Sequence, residues 1–523
     1  MNIIDSVIES IAPIYGEKRR MARERLKLRR IVNSGYDEGG ASRGKNSMKG
    51  WTASSKSPQE DIDKNLSLLR QRSRSLYMSA PLAVSAIKTN RTNIIGAGLR
   101  PKPKIDFEKL KMTVDEAEVW ERQAEKEFAI WAESKFCDIT RVNDFYEMQQ
   151  LVCMNWLLNG DACALIDFES EKNNCMPYSL RLRLIESDRI CNPNTTGREV
   201  DLLKKAENGN RIYNGVEINS RGGAEAYYIC NTYPASGLNI RKEWVRVEAY
   251  GKKTGIPNIL MIFESERPEQ YRGIPYLAPV IESLKQLTRY AEAELMAAVL
   301  NGIFSLFIKT TAPTSDIPLA GFMSDDDRVS SDPNDYELGA GTINVLNPDE
   351  SIDVVDAKRP NINFDGFVSS MAKYIGAALE VPVEILIKAF NSNYSASRAA
   401  LLEFFKAVKM KRVWLVNDFC KPVYELWLTE AVAKGRINAP GFFIDPAVKK
   451  AWCGCIWNGP AQGQIDPVKE ITAAQMRVDL GVSTREIETI ETMGGDFMTN
   501  SVQLEREARE MKKVKDAGGE NNA

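Results

Sequence analysis

Apolar positions along this chain alternate between two periods, and the change of period divides it. Leu66, Leu69 and Leu76, then Val84, Ile87 and Ile94, recur at helix spacing with a break at Ala80-Pro81, and Gly96 and Gly98 stop the second helix. A third helix is expected over 114–133, with Trp120, Phe128 and Trp131 on one side, and another over 145–158. From 143 to 268 the period shortens. ACALIDFE, LRLRLIE, AYYICNTY, EWVRVEAY and NILMIFES are rich in β-branched and aromatic residues and are separated by Gly- and Asn-rich turns, which predicts an α+β unit with an antiparallel sheet.

Helix spacing then returns. Leu277, Val280, Ile281, Leu284, Leu287, Ala291, Leu295 and Ala298 form one long helix over 276–300, with Pro275 and Pro279 at its start, where a missing N–H costs least. Two strand-like pieces, SLFIKT and GTINVL, flank an acidic loop. A further helix covers 364–379, and a non-helical piece links it to a third long helix from Ser395. That helix carries Leu401, Phe404, Phe405, Val408, Leu415, Phe419 and Tyr424 on its apolar face, and Lys406, Lys409, Lys411 and Arg412 crowd its polar side. Pro422 must kink or break it. Asp466-Pro467 and a Ser483/Glu486 capping box open two short helices, and the charged residues after 503 are expected to fray into a disordered tail.

Composition changes this picture mainly by exclusion. The 523 residues suit two to four domains, and a net charge of −2 does not describe a nucleic-acid coat. No histidine is present, which removes the commonest general base and metal ligand. The nine cysteines are scattered without a CxxC pair, so they read as reduced thiols in a reducing cytoplasm, with no metal site. No signal peptide is read at the N-terminus, and the longest apolar stretch, 295–308, is interrupted and shorter than the roughly 18 residues of a membrane span, so no membrane partner is expected.

Charge is local. Residues 17–30 hold eight Lys/Arg against two Glu, a basic helix that is either a solvated face or a contact for nucleic acid or an acidic partner. A Gly/Ser-rich arm follows. Its GGASRGK has phosphate-loop spacing, but Asn46 stands where the magnesium-holding hydroxyl belongs, and no strand precedes it. Residues 304–362 carry eleven Asp/Glu against four Lys/Arg. Asp325, Asp326, Asp327 and Glu337 lie in a hydrophilic loop that lacks the EF-hand spacing, so a partner-facing acidic surface is the better reading than a metal site. The segment NSNYSASR offers Ser395 or Ser397 as a helix N-cap. It is also short, polar and aromatic, and Lys388 and Arg398 bracket it with positive charge, which suits brief phosphate contacts.

Several runs together resemble the lambda family of phage portal proteins: LLRQRSRSLYMSAPLAVSAIKTNRTNIIGAGL, RGIPYLAPVIESLKQLTRYAEAELMAA, EVPVEILIKAFNSNYSASRAALLE, FCKPVYELWLTEAVAKGRI, GQIDPVKE and GVSTREIETIETMGGDF, in that order over roughly residues 30–505. The resemblance implies an α+β portal fold with an α+β wing, a two-helix stem, a small α/β clip, a long spine helix and a helical crown. On that reading 1–58 is a basic helix and flexible arm, 59–271 the wing, 272–303 the first stem helix, 304–362 the clip, 363–382 the second stem helix, 383–395 the tunnel loop, 396–460 the spine and its return to the wing, and 461–523 the crown and tail. It implies a ring, usually of twelve subunits, at one capsid vertex, assembled in the host cytoplasm. Double-stranded DNA passes through such a ring during packaging and ejection. The implied partners are the terminase large subunit, the major capsid protein and scaffold, and head-completion or tail-connector proteins.

Under this reading Lys388, Asn391, Asn393 and Tyr394 face the channel and Arg398 anchors their loop. Asp325, Asp326, Asp327 and Glu337 dock partners on the clip, and Leu284 and Leu287 lie at the ring interface. No catalytic residue and no cofactor is expected. The competing readings are a histidine-free nuclease or packaging enzyme, which would need a carboxylate cluster or a complete phosphate loop, and a different virion ring or adaptor protein.

Overall fold

The computed structural model describes residues 12–33, 41, 45–169, 175–195, 201–237, 240–302, 306–309, 343–346, 364–390, 394–463 and 466–519. They fall into two units, Met1–Ser57 and Pro58–Ala523. The first contains the basic helix α1 (Pro13–Asn33), on which Ile14, Tyr15, Met21 and Leu26 are exposed.

The second unit opens with a wide turn, Gln59–Asp63, leading into α2 (Lys64–Ser79) and α3 (Pro81–Ile94). The chain bends between them because Ala80 is extended and Pro81 can begin a helix but not continue one. β1 (Arg100–Pro103) follows, then α4 (Val114–Ala132) and α5 (Phe145–Asn159). Reciprocal caps fix the starts of these two helices, Thr113 with Glu116 and Asp144 with Glu147.

The strand region forms two antiparallel sheets where one was expected. β2 (Asp161–Phe168) lies between β3 (Leu180–Ile185) and β8 (Ile259–Phe263). The second sheet runs in order through β4 (Arg211–Tyr213), β5 (Val216–Ile218), β6 (Ala224–Cys230) and β7 (Trp244–Glu248). The period of two explains how the first sheet serves two cores. On β2, Ala162 and Ala164 face the main core, while Cys163 joins Ile185, Ile190, Ile229 and Ile259 in a small core between the sheets.

Beyond the sheets come α6 (Ile281–Gly302), the parallel pair β9 (Leu306–Lys309) and β10 (Ile343–Leu346), and α7 (Phe364–Ala378). A short helix α8 (Val383–Ile387) stands where a non-helical link was expected. The long helix α9 (Tyr394–Leu415) runs through one wide turn, Val416–Cys420, into α10 (Lys421–Ala433). That turn explains the fate of Pro422: the helix widens ahead of it, which relieves the clash of the proline ring with the preceding turn, and neither stops nor reverses. The main core collects α2 to α5, the start of α6, and α7 to α10 around Phe128, whose ring meets Trp427 edge-on at 4.9 Å and Phe145 at 5.8 Å.

The remaining elements are α11 (Pro446–Trp452), β11 (Cys455–Asn458), α12 (Pro467–Asp479), α13 (Arg485–Met493) and α14 (Phe497–Gly519). β11 pairs with β1, which ties the C-terminal part to the first helices. Two expectations are corrected here. The cap of α13 is Thr484, which accepts from Ile487 N at 3.3 Å; Glu486 instead pairs with Lys102 at 2.9 Å. The charged tail is helical as far as Gly519, because its charges alternate in sign at helix spacing, as in Glu505 with Arg509 and Glu510 with Lys513.

Candidate functional site

The structure tests the expected site residues unevenly. Asp325, Asp326, Asp327, Glu337, Asn391 and Asn393 lie outside the described residues. Tyr394 is the first residue of α9. Lys388 is exposed and ends α8 with a left-handed backbone, φ +57°. Arg398 reaches Glu470 on α12 at 2.5 Å, so it links the start of the long helix to the C-terminal helices.

Leu284 and Leu287, expected at a ring interface, are buried in their own chain. Only 1% and 8% of their surfaces are exposed, within the core of their own chain, so neither can face a neighbouring copy. Their spacing marked them as apolar, and that pattern cannot tell which part of a long helix its own chain covers. Farther along α6, Leu295, Met296 and Val299 are exposed at 67%, 60% and 48%.

Two buried polar junctions escaped the sequence reading. In the first, Asp161 opens β2 beneath two arginines. Arg272 binds both of its oxygens, Nε to Oδ2 at 2.7 Å and Nη2 to Oδ1 at 3.2 Å, and also donates to the carbonyls of Ile190, Asn214 and Ser187. Arg70 of α2 adds Nη2 to Oδ2 at 2.8 Å and donates to Asn159 O. Gly160 and Gly273 make the close approach possible, since a Cβ on Gly273 would lie 1.8 Å from the Gly160 carbonyl oxygen. Burial pushes the Asp161 carboxyl up, but Arg272 and Arg70 outweigh it and hold the group below the ordinary carboxylate range. The knot therefore joins α2, both sheets and the segment entering α6.

Asp63 borders the same knot with a different balance. Burial dominates over the attraction of Arg272 and Arg70 and pushes its carboxyl up to about 6. A folded-state value above the unfolded one favours the protonated form, so this contribution to stability is complete below the unfolded value of 3.8 and is lost as pH rises through about 6. Asp63→Asn is expected to flatten stability between pH 4 and 7 and to raise the melting temperature at pH 8. Melting curves across that range check it, and a variant less stable than the parent at pH 8 would refute this balance.

The second junction lies where α7 ends. Tyr276 Oη donates to the Leu379 carbonyl and accepts from Asn90 Nδ2 at 3.2 Å. Lys411 of α9 was assigned to a polar face, yet it is only 4% exposed. Its Nζ bonds Glu380 Oε2 at 3.0 Å and stands 4.8 Å from the centre of the Tyr276 ring. Glu380 and Lys388 both have positive φ, +53° and +57°, at positions that usually hold glycine, a strain of about 1–2 kcal/mol each.

Among the described residues no group of His, Cys, Asp or Glu is placed to hold a metal ion, and no helix is long and apolar enough to cross a membrane.

Comparison with known proteins places this architecture. The family described as "Phage portal protein, lambda family" matches residues 44–412. The chain is 24% identical over 497 residues to portal protein B of Escherichia phage lambda, covering 91% of this chain and 90% of that protein. It is 23% identical over 499 residues to the portal protein of Escherichia phage N15, with the same coverage of each. A chain in the neck of a native gene transfer agent particle, computed with C12 symmetry, is similar at 11% identity and a TM-score of 0.35, covering 80% of this chain and 92% of that one. The relatives are structural proteins of the portal class. The chain belongs to the lambda family of phage portal proteins, and it is a component of the virion.

Proposed function

We propose that copies of this chain close into a ring, of twelve subunits in the family's usual form, through which double-stranded DNA enters and leaves the capsid. The observation that carries the reading is the family match over 44–412. The exposed apolar outer half of α6 supports it, being more than one chain covers. Residues 59–271 are the wing, α6 and α7 the stem, 304–362 the clip, 383–395 the tunnel loop, α9 the spine, and the helices beyond 460 the crown. The acidic clip, with Asp325, Asp326, Asp327 and Glu337, docks the terminase large subunit and later the head-completion and tail-connector proteins, because a ring of negative segments steers basic partners. The capsid protein and scaffold surround the wing during assembly.

A near-neutral subunit suits a conduit. Tight phosphate neutralisation would hold DNA in place and make its passage steeply salt-dependent. Purified protein examined by native mass and negative-stain imaging should be a ring with a central hole; a monomer with nuclease or ATPase activity would overturn the reading. Within the ring, Lys388→Ala should assemble normally and change packaging rate or DNA retention, measured as DNA per filled head. Arg398→Ala should cost less than about 1 kcal/mol, since its ion pair is 40% exposed on the arginine side.

A further inference from the structure

We infer that Lys411 is a positioning residue for the segment 381–390: with Glu380 and Tyr276 it forms a latch that sets where this segment stands, and so how far Lys388 reaches. The inference deepens the channel reading and rests on it for its functional consequence, but the latch itself is a matter of geometry.

The segment is a compact module. Its N-terminal boundary is the end of α7, where Val381 N donates to Gly376 O at 2.9 Å around the left-handed Glu380. At the other boundary Ala389 N donates to Glu384 O at 3.1 Å around the left-handed Lys388. Both turns have the form that glycine normally ends, and both use a charged residue. Between them Val381 and Leu386 are buried, and Ser85 of α3 donates to the Leu386 carbonyl at 2.6 Å. The module is therefore rigid inside and bounded by two strained residues. Such strain persists only where the surroundings enforce it.

At Glu380 the enforcing group is identifiable. Lys411 is buried and holds the carboxylate at 3.0 Å, while Tyr276 holds the neighbouring Leu379 carbonyl. Three elements thus converge on one turn: α9 through Lys411, the entry to α6 through Tyr276, and α3 through Asn90, which supports Tyr276. In the ring, α6 and α9 would be stem and spine, so a shift of either would reach the module through this contact.

The asymmetry of the pair makes the test clean. The Glu380 side chain is 55% exposed, so removing the lysine leaves a solvated carboxylate, whereas Glu380→Gln removes the counter-charge of a lysine 5% exposed but keeps an acceptor oxygen for it. Full-length rings of the parent, Lys411→Met, Lys411→Arg and Glu380→Gln would be compared by hydrogen exchange. In Lys411→Met and Glu380→Gln, amides of 381–390 should exchange at least tenfold faster while those of α4 and α5 keep their rates; Lys411→Arg, which retains the charge, should restore most of the protection. Unchanged exchange in both neutral variants overturns the latch. So does equal loosening of α4 and α5, which would make Lys411 a merely structural residue. If Lys411→Met does not assemble, Glu380→Gln decides alone. DNA retention in filled heads is the second arm. Faster exchange with altered retention supports both readings. Faster exchange with unaltered retention supports the latch and overturns the placement of this segment at the channel.

Discussion

Asp161→Asn should leave the chain unable to fold stably at 37 °C. The substitution strips the shared counter-charge from Arg70 and Arg272, whose side chains are 3% and 0% exposed. Breaking a buried ion pair from one side costs about 3–5 kcal/mol, because the remaining charge keeps its desolvation penalty without its partner. Here two guanidiniums lose their closest carboxylate at once, and Arg70 keeps only the more distant Asp188, at 3.7 Å. That loss is comparable to the whole stability of many domains, about 5–15 kcal/mol. Arg272→Met should be milder, since Arg70 still neutralises Asp161 and the carbonyls of Ile190, Asn214 and Ser187 lose only a donor. The expected order of soluble yield is therefore parent, then Arg272→Met, then Asp161→Asn, with urea unfolding giving the differences. An Asp161→Asn protein within about 1 kcal/mol of the parent would show that the knot is not what joins α2, the sheets and the entry to α6.

That knot also shows where reading the sequence stops. Most helices were legible because their apolar residues recur at 3.6, and some of their ends were marked by Pro81 and by Asp466-Pro467. Five of the strands in 143–268 were legible as strands, while β4 and β5, three residues each, were too short to show a period. The division into two sheets was not legible, because it depends on which strands share a register, and no local pattern encodes partners far apart in the chain. α8 was read as a link because five residues are too few to show a period, and because Glu380 after α7 and Lys388 after α8 stand where a glycine would have announced a cap.

The polar junctions were hidden by the same rule that makes surfaces readable. A lysine or arginine among other charges is normally solvated, so Lys411 was grouped with Lys406, Lys409 and Arg412, and Arg70 stands in a run with Arg72 and Arg74 that looks no different. The structure separates them. Lys411 and Arg70 are buried with partners at 3.0 and 2.8 Å, while Lys409 sits on an exposed pair with Glu491. Arg412 is different again, spending its guanidinium on the carbonyls of Asn93, Ile94 and Pro460. One signal was available. Arg272 and Tyr276, the first and last residues of RGIPY, anchor the two junctions, so that run was recognisable by resemblance before its physical task could be seen.

The Leu295→Asp/Val299→Asp double variant should convert rings into folded monomers. α6 changes surroundings partway along its length. Leu284 and Leu287 are inside the core, whereas no side chain from Ala291 to Val299 is buried. In the same stretch Leu295, Met296 and Val299 stay bare although Tyr290 packs on Phe364 and Phe367 of α7 at 5.6 and 4.9 Å, so the partner helix does not cover them. Residues 295 and 299 are one turn apart on one face. Placing two carboxylates there should change monomer stability by no more than about 0.5 kcal/mol per exposed site, but in a ring both would lose water at every subunit boundary. Mass photometry should therefore show a shift from ring to single-chain mass, with an unchanged circular dichroism spectrum. Leu284→Asp and Leu287→Asp should do the opposite, unfolding the chain, because each places a carboxylate in an apolar core. If the outer double variant still gives rings of parental mass, the subunits meet elsewhere, and the exposed half of α6 must be covered by something other than a second copy.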